Sequence, residues 1–302
     1  MFQVTILGNS AAVPMLNKNT TAQVLKYEQY SFLLDCGEGT QIQILKYKVK
    51  SNFKAVFITH LHGDHCFGLV PLLSSMSLNG RTEDLLIVGP KVLQEYIETQ
   101  LNFTNAYLNF EIEYIVPETE NHIVYENEHL KVHAFSLKHR IETYGYIFKE
   151  KERPRKFLVN KARELEIAPP LFKLLKKELS VKNIYGKTIH PEQVLGEKKN
   201  PRSYAFCTDT AFYPDIVPYI QNATLLYHEA TFKHSELQKA IETQHSTATE
   251  AALIAKLAHV NKLIIGHFSA RYLNLEHELV EEAQTVFPNT EYAKEGRTFL
   301  IE

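Results

Sequence analysis

Cysteine, glycine and proline are all scarce in this 302-residue chain, which has 3 Cys, 12 Gly and 12 Pro. Cys36, Cys66 and Cys207 form no CxxC pair and cannot all be disulfide-bonded. That argues against a disulfide scaffold and makes a reducing cytoplasm the simplest compartment. So few glycines and prolines leave little room for low-complexity linkers, and no short repeat recurs. No N-terminal apolar stretch with a basic flank resembles a signal peptide, and no run is long enough to span a membrane. The remainder is ordinary: 44% hydrophobic residues, on a chain long enough to bury the core of one domain over residues 1–302.

Net charge is only −2, yet the charge is unevenly placed. Residues 149–202 hold 15 basic and 7 acidic side chains, or +8, which leaves 18 basic and 28 acidic elsewhere, or −10. A basic insert on an acidic body suits an arm that grips a polyanion. A solvated helix with interleaved Lys and Glu explains the same count equally well. Pro154, Ala168-Pro169-Pro170, Pro201, Gly186 and Gly196 break the insert into short pieces, so it reads as a protrusion. Within it, Leu171 to Lys177 looks like a basic amphipathic helical turn carrying Lys173, Lys176 and Lys177.

The densest chemistry lies in His60-Leu61-His62-Gly63-Asp64-His65. It follows Ala55-Val56-Phe57-Ile58-Thr59, whose β-branched and aromatic residues read as a buried strand. Imidazoles and a carboxylate suit zinc and similar divalent ions. Gly63 is expected to let the backbone turn so that His62 and Asp64 face one site. Other apolar runs also end in ligand-type residues: Leu130–Lys138 leads to His139, Tyr204–Thr208 to Asp209, Leu225–Tyr227 to His228-Glu229, and Leu263–Gly266 to His267. Each alone reads as a surface or core residue; with the first cluster they favour a metal site at converging strand ends. Cys66 and Cys207 adjoin these positions but read as small buried apolar residues.

Val4–Leu7 and Tyr30–Leu34 read as strands, and Gln41–Tyr47 as a weak helix. Thr247 with Glu250 three residues on is a capping box before a helix from Ala251 to Ala258. His245 therefore sits just outside a helix N-terminus, and a plain capping-loop histidine is the simpler reading from the residues alone.

Taken together, His60–His65, Asp35-Cys36-Gly37-Glu38-Gly39-Thr40-Gln41, His228-Glu229-Ala230-Thr231-Phe232, His245-Ser246-Thr247 and Gly266 through Tyr272 resemble ribonuclease Z, the tRNA 3′-processing endonucleases of the metallo-β-lactamase superfamily. The resemblance implies a four-layer αβ/βα metallo-β-lactamase fold. The basic insert, residues 149–202, falls where the family carries its tRNA-binding arm, which tips the reading of its charge toward nucleic acid.

The resemblance further implies two zinc ions per subunit. His60, His62 and His139 would hold one, Asp64, His65 and His267 the other, and Asp209 would bridge them. Such a pair activates the water that attacks phosphorus and draws off the developing charge. Asp64 is a candidate for accepting the water proton. His245 is the candidate for protonating the leaving 3′-oxygen, with Glu229 holding its ring charged and oriented. The products implied are a 3′-hydroxyl on the tRNA and a 5′-phosphate on the trailer. Substrate contacts are expected from Lys18, Asn19, Thr20 and Arg271, and from Lys173, Lys176 and Lys177 on the arm. The implied partners are precursor tRNA and a second copy of the chain in a homodimer, with no membrane.

Some positions depart from the family pattern. Leu16 stands where a second basic residue is common in the loop Pro14–Thr21, the arm tip lacks its usual glycine, and Thr208 precedes Asp209 where glycine is frequent. Two other functions fit parts of the pattern: a metallo-β-lactamase-fold phosphodiesterase for small diesters, and a metal-free nucleic-acid-binding module. The +8 insert argues against the first and the complete ligand set against the second.

Overall fold

The computed structural model describes residues 1–118, 121–152, 155–198 and 200–302. Pro154, expected to break the insert, lies outside them. The chain divides into a large unit (residues 1–126, 131–149 and 202–302) and a small one (127–130 and 150–201).

In the large unit, most of the apolar runs have no polar parity, so the strands they form need cover on both faces. Two seven-stranded sheets provide it. The first is built from β1 (Phe2–Gly8), β2 (Ala22–Tyr27), β3 (Tyr30–Leu34), β4 (Ala55–Phe57), β5 (Leu85–Val88), β6 (Ile112–Ile115) and β16 (Thr298–Leu300), in the order β16-β1-β2-β3-β4-β5-β6. The second uses β7 (His122–Glu126), β8 (Leu130–Ser136), β9 (Tyr144–Glu150), β12 (Ser203–Cys207), β13 (Leu225–Glu229), β14 (Leu263–Gly266) and β15 (Thr290–Tyr292), in the order β15-β14-β13-β12-β9-β8-β7. β3 to β6 pair in parallel, and so do β12 to β15.

Alternate residues of each strand face opposite ways. Phe32 of β3 and Phe57 of β4 meet Phe148 of β9 at ring separations of 5.5 and 5.1 Å, which joins the two sheets. The Tyr146 hydroxyl adds a 2.7 Å bond to the Ile58 carbonyl. Leu33 and Val56 point the other way, into a cluster with Ile44, Leu69, Leu73 and Ile97 from three helices. On the far side Ala205, Leu226 and Ile265 pack with Ala251, Ala255 and Leu279 of the helices Ala248–Leu257 and Glu276–Gln284. The layers are helix, sheet, sheet, helix, as expected. The Thr247–Glu250 capping box is present. All three cysteines are free and buried in the apolar clusters that the sheets share with helices.

The small unit has a core of its own, made by Ala162, Ile167, Leu175, Val181, Ile189 and Val194. It holds the helix Val159–Glu164, a turn of helix at Phe172–Lys176, and a hairpin of β10 (Val181–Lys182) and β11 (Thr188–Ile189). Lys173, Lys176 and Lys177 are exposed around the buried Leu175. Lys173 and Lys177 have no ion-pair partner among the described residues.

Candidate metal centre

Parallel strands that leave a sheet in one direction deliver their C-terminal residues to one edge. Asp35 follows β3, His60 and His62 follow β4, His139 follows β8, Asp209 follows β12, Glu229 ends β13 and His267 follows β14. Asp35, Asp209 and His267 take left-handed backbone conformations, with φ of 55°, 51° and 58°. Such conformations cost of order 1–3 kcal/mol and concentrate at functional sites. Gly63 does not supply the special turn expected of it; its φ is not positive. A Cβ there would instead collide with the Phe67 ring.

Hydrogen bonds determine which ring nitrogens are free. His65 Nδ1 lies 2.8 Å from Asp35 Oδ2, and His139 Nδ1 lies 2.9 Å from the Gln244 carbonyl. Both acceptors require N–H, leaving each Nε2 with a lone pair. Thr59 Oγ1 donates to Asp35 and so accepts from His60 Nδ1 at 3.0 Å. Thr231 Oγ1 donates to Glu229 Oε2 at 2.6 Å and accepts from His267 Nδ1 at 2.9 Å. Asp35, Thr59, Thr231 and the Gln244 carbonyl orient the rings. Sequence reasoning assigned them no role, although Asp35 and Thr231 stand inside the motifs that carried the resemblance.

The free atoms converge on two points. His62 Nδ1 lies 3.0 Å from His60 Nε2 and 3.3 Å from His139 Nε2, with Asp209 Oδ2 3.4 Å from His60. His65 Nε2 and His267 Nε2 are 3.3 Å apart. Each lies 3.4 Å from Asp64 Oδ2, and Asp209 Oδ1 stands 3.1 and 3.2 Å from them. Asp209 therefore offers one oxygen to each group. Lone pairs aimed at each other repel unless a cation lies between them. Ligand atoms about 2.0–2.1 Å from a tetrahedral ion stand roughly 3.3–3.4 Å apart, so both donor sets fit a divalent metal. All of these ligand atoms fall into compact metal-capable groups.

Electrostatics agrees with the geometry. Burial lowers the pKa of His60 and His62 and brings His139 down to about 4, so all three are neutral at pH 7. Burial opposes charge on His65, but Asp209, Asp64 and Asp35 outweigh it and raise its pKa well above normal. These carboxylates thus draw a positive charge to His65 Nε2, where a proton and a metal ion compete for the same lone pair. Burial likewise opposes ionisation of Asp64 and Asp209, and the surrounding histidines hold both far below the usual carboxylate range. His228, the other ligand-type residue at the end of β13, joins no such group: its Nδ1 bonds the Glu229 carbonyl at 2.7 Å.

A cavity of about 690 Å³ opens over the centre, lined in part by His62, Asp64, His139, Asp209, His245 and His267. Glu229 is fully buried and accepts from Thr210 N at 2.8 Å and from His245 Nδ1 at 2.8 Å. Burial lowers the His245 pKa, yet Glu229 more than offsets this and pushes it up to about 9. Thr20 also borders the cavity but is buried. Lys18 turns inward to Glu276 at 2.5 Å, Asn19 bonds Glu295 at 2.6 Å through its backbone N–H, and Arg271 pairs with Glu236 at 2.6 Å.

Known proteins are similar to this chain along nearly its whole length. Ribonuclease Z of Prochlorococcus marinus (strain MIT 9301) is 41% identical, over 99% of this chain and 99% of its own. Ribonuclease Z of Synechocystis sp. is 41% identical over 99% and 94%. The chain belongs to the ribonuclease Z family. Human tRNase Z, short form, is similar in structure, with a TM-score of 0.71, 27% identity and 99% of each chain covered. The metallo-β-lactamase fold protein YhfI from Bacillus subtilis has a TM-score of 0.70 at 19% identity, with 99% and 100% covered. Residues 2–153 also match the family model described as anti-Pycsar protein Apyc1. As a ribonuclease Z family member with the metallo-β-lactamase fold, the protein is an endoribonuclease of tRNA 3′ maturation.

Proposed function

We propose that the centre holds two zinc ions per subunit. His60, His62 and His139 hold one, Asp64, His65 and His267 the other, and Asp209 lies between. Bound there, the ions supply Lewis-acid activation of water and of the phosphodiester. The convergence of seven oriented ligands beneath one cavity carries this reading.

The chain's own groups divide the remaining work. His245, paired with Glu229, lines the cavity, and it protonates the 3′-oxygen of the tRNA as the trailer leaves with its 5′-phosphate. Glu229 fixes the ring and keeps it cationic. The base role considered for Asp64 has weaker support: two histidines and the Ala12 N–H, at 2.7 Å, hold its carboxylate at low basicity. It serves as a ligand. Residues 149–202 act as a basic exosite, with Lys173, Lys176 and Lys177 exposed to meet phosphates. Thr20 borders the cavity; Lys18, Asn19 and Arg271 are the other substrate contacts the family resemblance suggests, although each already holds a carboxylate partner. We further propose a cytoplasmic homodimer; three buried free thiols suit a reducing compartment.

The test is cleavage of a 3′-extended precursor tRNA by metal-loaded protein beside a variant lacking Leu158 to Lys198. A cut next to the discriminator base, lost in the variant while a small nitrophenyl diester is still hydrolysed, supports the enzyme and its arm. No cut, with diester turnover intact, points to a small-diester phosphodiesterase.

A further inference from the structure

The loop from Ser10 to Thr20 is fastened at both ends. Ser10 forms bridges to Thr20 and Phe268, and Met15 and Lys18 exchange backbone hydrogen bonds at 3.0 Å across a turn in which Asn17 is left-handed, with φ of 66°. At the turn's tip Leu16 is 93% exposed. Lys18 points inward instead. Its Nζ lies 2.5 Å from Glu276 Oε1 and 2.7 Å from the Tyr292 hydroxyl, and the side chains of Lys18 and Glu276 are only 21% and 13% exposed. Asn19 adds a second anchor, with its backbone N–H and side-chain amide 2.6 and 3.1 Å from Glu295. At the far side of the loop, Ala12 adopts φ 62° and directs its N–H at Asp64 Oδ2, 2.7 Å away.

We infer that Lys18 is a positioning residue: through Glu276 and Tyr292 it holds this loop so that the Ala12 N–H orients the Asp64 carboxylate. The inference rests on the reading of Asp64 as a ligand and is independent of the RNA substrate. It explains why the cation of this loop is paired with a mostly buried carboxylate. A phosphate contact would leave the ammonium free, and Glu276 would cancel much of its attraction for a polyanion. Burial lowers the Lys18 pKa, but Glu276 and Tyr292 more than compensate, so the cation is stable where it sits. The exposed tip at Leu16 is left to face substrate.

Lys18→Met, Glu276→Gln and the charge swap Lys18→Glu with Glu276→Lys test this. The readouts are turnover of precursor tRNA and of bis(p-nitrophenyl) phosphate, the salt dependence of tRNA binding, and the rate of zinc release to a chelating dye. Positioning predicts that both single variants lose kcat on both substrates, about tenfold or more as expected for a misplaced group. KM for tRNA and the salt slope stay unchanged, zinc release is faster, and the swap recovers much of the loss. A phosphate-contact role predicts a raised tRNA KM, a salt slope smaller by about one unit, normal diester turnover and no recovery by the swap. That pattern, or unchanged zinc release with unchanged diester kcat, overturns the inference. The diester and zinc arms do not depend on the protein being a tRNA enzyme.

Discussion

Glu229 reaches His245 with an Oε1–Nδ1 distance of 2.8 Å while its other oxygen holds Thr231, which in turn holds His267. One buried carboxylate thus orients the proposed acid and a proposed metal ligand together. Removing the acid separates the two roles. His245→Ala is expected to lower kcat on precursor tRNA by about 10²–10⁴-fold, with zinc content by atomic absorption unchanged. Glu229→Gln is expected to lower kcat and also to weaken zinc retention, because Thr231 and His267 lose their anchor.

Asp35 touches no substrate, yet it accepts Thr59 N at 2.8 Å as well as the His65 ring. Asp35→Asn keeps a residue type that tolerates its left-handed backbone and removes the charge behind His65. Zinc affinity measured by chelator competition should fall about ten- to hundredfold, the usual effect of losing a carboxylate behind a ligating histidine.

The donor set predicts a second consequence for metal removal. Stripping with a chelator returns the converging lone pairs and carboxylates to mutual repulsion. Cleavage should stop, and Tm should fall, since a ligand at a hundredfold excess over Kd contributes about 2.7 kcal/mol, or roughly 4 °C in Tm for a chain of this length. Zinc added back should restore both. An unchanged Tm after complete stripping would remove the case for a folded-state metal site.

The small unit's lysines make a separable claim. Replacing Lys173, Lys176 and Lys177 with Ala should weaken tRNA binding across sequences. It should also flatten the salt dependence by about one unit for every phosphate these ammonium groups neutralise. Turnover of a small diester should not change. An unaltered slope would move the exosite elsewhere.

The cysteines test the packing. Burial pushes the Cys66 thiol up to about 12 and the Cys36 and Cys207 thiols higher still. The thiolate is the reactive form, so alkylation of the native protein at pH 8 should be negligible by mass spectrometry, and all three should react once the chain is unfolded in denaturant.

Most of the layer architecture was legible because strands covered on both faces leave unbroken apolar runs, as in Tyr204–Cys207 and Leu263–Gly266. The candidate ligands stood out because the chain places them at the ends of such runs. Parity was harder to read: His228 and Glu229 are neighbours of similar chemistry, but in a strand they face opposite ways, and only Glu229 joins the site. The orienting groups were also hidden, since Asp35 and His65 are 30 residues apart and nothing local announces their contact. Lys18 shows the same limit. It reads as a substrate cation, and nothing in the loop announces its contact with Glu276, 258 residues away.

The proposed centre would draw its ligands from His60 through to His267, from the ends of both sheets. A chain leaving the ribosome has His60, His62, Asp64, His65 and His139 early, but Asp209 only much later and His267 later still. The carboxylate shared by the two donor sets does not exist until β12 of the second sheet has been made. With those ligands, tight metal uptake would report that synthesis has passed residue 267 and that the two sheets have docked, and chains stalled earlier would stay catalytically silent toward the RNA around them.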